Sequence, residues 1–249
     1  MTSRPWQPPG LLRLESLGVT LQLPAGALLE AQVQWSPSHR VIASEFAGEN
    51  IFDRLTSDVD YAKVREEVDL LREIADLTNP HVLHESGQFE VVRQDDRIFG
   101  RGSGLIMASF AFPGQASRFS DGSYGVYYAA RDLDTAITET RFHAQRYLRG
   151  SGPCVLEKTV VQAELDGVLV DVRSPCPCPA GVYDPFDYRT GNDFGSVVKS
   201  LDGHGIVYDS VRRVRGECVA VFRPPVLRNA VATQTLEYEW DGVGIVAVR

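Results

Sequence analysis

The chain has 249 residues, 43% of them hydrophobic, a formal net charge of -8 and a pI near 5.2. That hydrophobic share can bury the core of one large domain and excludes a disordered chain. The acidic balance excludes a general nucleic-acid binder, which needs a basic face to displace counterions from phosphates, although Arg212, Arg213 and Arg215 form a local basic cluster.

Residues 1–35 are rich in Pro, Gly and apolar side chains without clear periodicity, and are expected to drape over the surface or form a short hairpin. The opening MTSRPWQPPG has no apolar run of signal-peptide length, and no later segment approaches the roughly 18 apolar residues of a membrane span. The expected location is therefore the cytosol, without a membrane partner. HRVIASEF (39–46) reads as a strand. SDVDYAKVREEVDLLREIADLTNP reads as an amphipathic packing helix: Val64, Val68, Leu71 and Ala75 recur at spacings of three and four, Ser57 or Asp58 can cap its start, and Asn79-Pro80 ends it. RIFGRGSGLIMASFAF (97–112) reads as a Gly-rich turn leading into an apolar strand. PGQASRFSDGS is a loop, and YGVYYAA (124–130) a second strand of high β propensity.

DLDTAITETRFHAQRYLRG predicts a helix with Asp132 as N-cap, Gly150 as its stop, and one stripe formed by Leu133, Ala136, Ile137, Thr140, Ala144, Tyr147 and Leu148. CVLEKTVVQAEL and GVLVDV read as two strands joined by a hairpin turn at Asp166-Gly167. DPFDYRTGNDFGSVVKSLDGHG supplies a loop and a short helix, IVYDSVR and ECVAVFRPP two more strands, and TLEYEWDGVGIVAVR a last strand or hairpin. Strands and helices in this mixed order predict an α+β or mixed-sheet α/β domain rather than a doubly wound parallel sheet.

Several chemistries lack their signals. Cys176 and Cys178 in PCPCP are separated by one residue, the wrong spacing for a CxxC pair, so they and Cys154 and Cys218 are expected to be reduced structural thiols with no metal. No GxGxxG, GxxxxGK[ST], GxSxG or HExxH occurs.

The chemistry-bearing residues cluster in SRFSDGSYGVYYAARDLDTAITET, Ser117 to Thr140. Steps of about 100° per residue put Glu139 roughly 120° from the centre of the helix stripe, on a flank that His143 shares. A flanking glutamate, a loop arginine such as Arg118, or a serine at a strand end such as Ser210 is by itself most often a surface residue. Tyr127 and Tyr128 must face opposite sides of their strand, one into the core and one able to line a cleft. Together, an arginine to clamp an anion, an aromatic to stack on a flat ring and a carboxylate to stabilise a developing cation suit a pyridinium dinucleotide. Cleavage of its nicotinamide–ribose bond passes through an oxocarbenium-like state.

These residues resemble a known family, the RES-domain toxins of bacterial toxin–antitoxin pairs, named for Arg, Glu and Ser. The match is SRFSDGSYGVYYAARDLDTAITETRFH followed by GIVYDSVRRVRGECVAVFRPP, with Arg118, Tyr128 and Glu139 ten and then eleven steps apart and Ser210 at the serine position. It covers roughly residues 39–226. The resemblance implies an ADP-ribosyltransferase-like split β-sheet core with flanking helices, an N-terminal extension over 1–38 and a catalytic domain over 39–249 with its motif core at about 97–226. It implies a type II toxin that consumes NAD+ as substrate, by phosphorolysis or hydrolysis, with no further cofactor. By position Arg118 would bind the dinucleotide phosphate or ribose, Tyr128 would stack near the nicotinamide ribose, Glu139 would stabilise the cationic transition state and Ser210 would hold the nicotinamide end, with Phe119 and Arg212 as second-rank contacts. The implied partner is an Xre-type DNA-binding antitoxin that blocks the site, with room for a homodimer inside the complex. The alternatives are a mono-ADP-ribosyltransferase acting on a protein and a non-catalytic partner-binding protein of the same fold.

Overall fold

The structure is a computed structural model that describes residues 13–14, 19–20, 28–47, 92–99, 101–111, 113–175, 178–179 and 181–249. The helix expected over 57–79 and the residue Cys176 lie outside the described residues. Near the N-terminus β1 (Arg13–Leu14) pairs antiparallel with β2 (Val19–Thr20). The main sheet contains β3 (Glu30–Ala43), β4 (Tyr127–Ala130), β5 (Cys154–Asp171), β6 (Gly205–Asp209), β7 (Glu217–Val221), β8 (Leu227–Trp240) and β9 (Ile245–Val248). Its order is β3-β4-β7-β6-β5-β8-β9, and β3 also pairs with β5. Strands β3, β4, β7, β6 and β5 therefore form a closed circuit, and β8 and β9 extend outward from β5. Every pairing is antiparallel except β5 with β6, so the sheet is mixed. The expected mixed α/β class holds, and β8–β9 is the C-terminal hairpin.

Strand alternation divides the core between the two faces. In β6 and β7, Ile206, Tyr208, Cys218 and Ala220 join one cluster, while Val207, Val219 and Val221 join the other. The first cluster is covered by α2 (Leu133–Tyr147) and α3 (Arg189–Ser200), the second by α1 (Ser103–Ala111). Both faces of β6 are thus buried, which is why GIVYD reads as an unbroken run without alternation. No helix among the described residues is long and apolar enough to cross a membrane.

Three expectations are corrected. The apolar run expected as a strand within 97–112 is helix α1. Its buried residues, Ser103, Ile106 and Met107, Phe110 and Ala111, recur at helical spacing, and a short apolar run flanked by glycine looks the same either way. The hairpin expected at Asp166-Gly167 is absent, because β5 runs unbroken through it. Asp166 Oδ1 accepts from the Nε2 atoms of Gln32 and Gln34 on β3 at 2.8 and 3.1 Å, and Gly167 is required because a Cβ there would stand 2.4 Å from Val226 Cγ1. Long partners on β3 and β8 outweigh the local turn preference. Tyr147, placed on the helix stripe, is instead 82% exposed, whereas Thr135 is fully buried. The remainder of α2 is as expected, with the Asp132 carboxylate accepting from Thr135 N–H at 2.9 Å.

Candidate functional site

Arg118 sits in a tight turn that Ser117 N–H closes by donating to Ser120 O at 2.7 Å. Helix α3 grips this turn from behind. Asn192 Nδ2 reaches the carbonyls of Ser117, Arg118 and Ser120. Gly191 and Gly195, one helical turn apart, allow the approach: a Cβ would stand 2.3 Å from Arg118 O at the first and 2.2 Å from Phe119 O at the second. Because both obstacles are backbone, Gly195→Ala is expected to lower stability by about 1–3 kcal/mol, read as a lower urea midpoint.

Tyr128 completes the cradle. Alternation buries Tyr127 and turns Tyr128 to the cleft. The Tyr128 hydroxyl accepts from Phe119 N–H at 2.9 Å and lies 2.8 Å from Ser117 Oγ. Burial pushes its pKa up to about 12, so the phenol keeps its proton. The Phe119 ring is itself wholly buried, edge-on to Tyr208 at 5.0 Å, so Phe119 does not line the cavity as expected and serves through its N–H, which holds Tyr128.

Arg118 is only 8% exposed. Its Nη1 donates to Val182 O and Asp184 O, each at 2.9 Å, and its guanidinium lies 4.7 Å from the centre of the Tyr188 ring. One nitrogen of the fork therefore anchors the 182–188 loop, and the other two, Nε and Nη2, have no acceptor among the described residues.

Glu139 reaches the same cavity from the flank of α2. Ser210 Oγ donates to Glu139 Oε1 at 2.6 Å and accepts from Arg212 N–H at 3.1 Å and Arg213 N–H at 3.0 Å. Ser210 does not line the cavity but orients the carboxylate from behind. Arg213 ties the Ser210 loop to the start of α2 through Asp132 Oδ1 and Thr135 Oγ1, both at 3.0 Å. Burial alone would raise the Asp132 pKa, but the Thr135 bonds and the Arg213 charge outweigh it and hold the carboxyl below its usual range. Among the described residues no cation pairs with Glu139, so its charge is not already neutralised.

The inner cavity holds about 250 Å³ and is lined by Arg118, Tyr128 and Glu139 together with His39, Arg40, His143, Tyr188, Tyr208 and Cys218. A wider groove of about 700 Å³ shares Ser117, His143 and Tyr188 with it and continues past Arg146, Phe186 and Arg189. Arg212 stands outside both, with its guanidinium 3.5 Å from the Phe142 ring centre and its side chain donating to Pro185 O.

Sequence reasoning missed Arg40 and His39 on β3. Arg40 Nη1 donates to Tyr128 O at 3.1 Å, its charge stacks 4.7 Å from the Tyr127 ring, and burial lowers its pKa. His39 Nδ1 is buried with no hydrogen-bond partner among the described residues. The available signal was a His-Arg pair directly before the apolar Val41 and Ile42 of a strand, where charge needs a reason. His143 was noted only for sharing Glu139's flank. Withdrawal into the cleft wall, then Arg212, Arg146 and Arg118 in that order, lowers its pKa to about 4, so the imidazole is neutral at neutral pH. The residue as a whole remains exposed, so solvent screens the arginines. Burial and then Glu139 raise the pKa of Cys218, so this thiol is not a nucleophile. Cys154 and Cys218 are free thiols, and no group of metal-ligating residues occurs among the described residues.

A sequence model of the RES domain matches residues 94–241, more than half of the chain. The chain belongs to the RES-domain family. Every member of the Arg118, Tyr128, Glu139 and Ser210 set falls inside the matched RES domain, whereas β3 with Arg40 and His39 precedes it. No curated protein matches the sequence of this RES-domain chain. Among solved structures, it is similar to a chain described as "Crystal structure of the M.tuberculosis MbcT-MbcA toxin-antitoxin complex", with a TM-score of 0.37 and 13% identity over 47% of this chain and 72% of that one.

Proposed function

We propose that this RES-domain protein consumes NAD+ by cleaving its nicotinamide–ribose bond, with phosphate or water as acceptor, and serves as the toxin of a toxin–antitoxin pair. The observation that carries the reading is Glu139, a carboxylate with no cationic partner among the described residues, on the wall of a cavity that also presents the Arg118 nitrogens not used by the 182–188 loop. The C1″–N bond breaks with its electron pair leaving on nicotinamide, which departs neutral. The positive charge left on the ribose faces Glu139. An acceptor oxygen then forms the new bond to C1″. Phosphate gives ADP-ribose 1″-phosphate, and water gives ADP-ribose and a released proton.

Each side chain has a part in this scheme. Ser210 gives its only proton to Glu139 and so fixes the carboxylate's direction. Arg118 offers its cation to the dinucleotide phosphates, while the Arg40 charge stays buried against Tyr127 and steadies β4 through Tyr128 O. Tyr128 holds the Arg118 turn and offers a neutral phenol edge to the ribose. Arg212 and the Phe119 backbone support these groups.

A chain that drains NAD+ needs a silencing partner. The partner proposed is an antitoxin, DNA-binding in its own right, that fills the cleft between Arg118 and Glu139 with a carboxylate or backbone carbonyls. Incubation of the purified chain with NAD+, with and without phosphate, followed by mass spectrometry, tests the chemistry. ADP-ribose 1″-phosphate or ADP-ribose is expected. A mass added to a protein would mark the chain as a transferase, and unchanged NAD+ would defeat the reading. Expression of the chain alone should arrest growth and lower cellular NAD+, and co-expression of the partner should restore both.

A further inference from the structure

Phe186 is an apolar ring left 69% exposed beside the outer groove, on a loop whose backbone is held at four points. Phe186 N–H and Asp187 N–H both donate to Asp184 Oδ1, at 2.8 and 2.7 Å. Arg118 Nη1 holds Asp184 O, and Arg212 holds Pro185 O. The ring is backed by Phe142, 6.1 Å away and tilted by 47°, and by the Arg212 guanidinium at 5.8 Å. Leaving a Phe this exposed gains little from burial, yet the loop that carries it is fixed, and by Arg118 of the inner site itself.

The volumes give the ring a use. At about 250 Å³ the inner cavity falls below the roughly 300–1,000 Å³ usual for a whole ligand, and the groove of about 700 Å³ that joins it at Ser117, His143 and Tyr188 supplies the remainder. The groove has one further feature suited to a nucleotide. Arg146 has no carboxylate partner among the described residues, whereas Arg189 is already paired with Asp187 at 2.5 Å.

We propose that the outer groove is the adenosine subsite, with Phe186 as the platform on which the purine stacks and Arg146 as the cation beside the adjoining phosphate. This rests on the NAD+ reading and makes Phe186 a specificity residue. It selects the whole dinucleotide over its nicotinamide mononucleotide half without touching the bond that breaks.

The test uses the full chain and three variants. Stacking of a base on an aromatic ring is lost to alanine at about 1–3 kcal/mol. Phe186→Ala is therefore expected to weaken AMP binding by calorimetry about 5- to 150-fold and to raise KM for NAD+ by a similar factor, with kcat within about twofold. Binding of nicotinamide mononucleotide should stay unchanged. Phe186→Tyr should keep wild-type values, and Arg146→Ala should weaken AMP more than adenosine. AMP binding that is absent from the wild-type chain, or equal in Phe186→Ala, overturns the subsite, as does equal weakening of the mononucleotide. So does a Phe186→Ala chain that loses only its protein partner. If AMP binding depends on Phe186 while the wild-type chain leaves NAD+ intact, the subsite stands and the NAD+-cleaving reading falls.

Discussion

Glu139→Ala is expected to cut NAD+ turnover at least about 100-fold, the scale for removing one preorganised electrostatic stabiliser, while changing stability by no more than about 1 kcal/mol. The two effects separate because of where the residue stands. Its helix is held by the Asp132 cap, the buried Thr135, Ala136 and Ala144, and the Arg213 link, and Glu139 belongs to none of these. The only hydrogen bond to its carboxylate among the described residues is from Ser210 Oγ, at the cavity margin where water can replace the carboxylate. Glu139→Gln separates charge from shape. It keeps an acceptor for Ser210 and loses the negative charge, and turnover should fall nearly as far. The checks are steady-state turnover and a urea transition on the same preparations. A folded Glu139→Ala chain with normal turnover removes the proposed chemistry.

Arg118→Lys is expected to weaken NAD+ binding by at least about tenfold, or ~1.4 kcal/mol, read by calorimetry, with the circular dichroism spectrum unchanged. Lysine offers a compact ammonium where the site uses a planar fork. The guanidinium holds Val182 O and Asp184 O with Nη1, and in the proposed chemistry Nε and Nη2 meet the ligand. One ammonium cannot serve both directions. Stability should therefore also fall, by about 1–3 kcal/mol for the carbonyls left short of a donor, with the loss centred on the 182–188 loop. Equal NAD+ affinity in the lysine variant would assign Arg118 to loop anchoring alone.

Much of this site was legible in the chain because its signals are local. Arg118, Tyr128 and Glu139 lie on one loop–strand–helix unit, where strand alternation sends Tyr127 and Tyr128 to opposite faces and the Asp132 cap starts the helix that presents Glu139. The parts that escaped depend on distant partners. Arg40 joins the cavity because β3 meets β4 at His39 and Ala130. Gly191, Asn192 and Gly195 read as an ordinary helix start until the Arg118 turn is laid against them. A buried helix and a buried strand present the same short apolar run, which is why α1 was misread.

By itself the sequence determined the family motif, the amphipathic helix with its cap, the mixed order of strands and helices, and the three chemistry-bearing positions between Ser117 and Thr140. These follow from backbone geometry that repeats every two or 3.6 residues, so a short window carries them. Only the tertiary structure decided that β5 passes straight through Asp166-Gly167, that the Ser210 proton is committed to Glu139, and which nitrogen of Arg118 anchors the 182–188 loop. It also decided that Phe186 stands open beside the groove. Each of these depends on which remote backbone or side chain arrives at a given atom, and strand pairing and helix packing across the whole chain set that arrival.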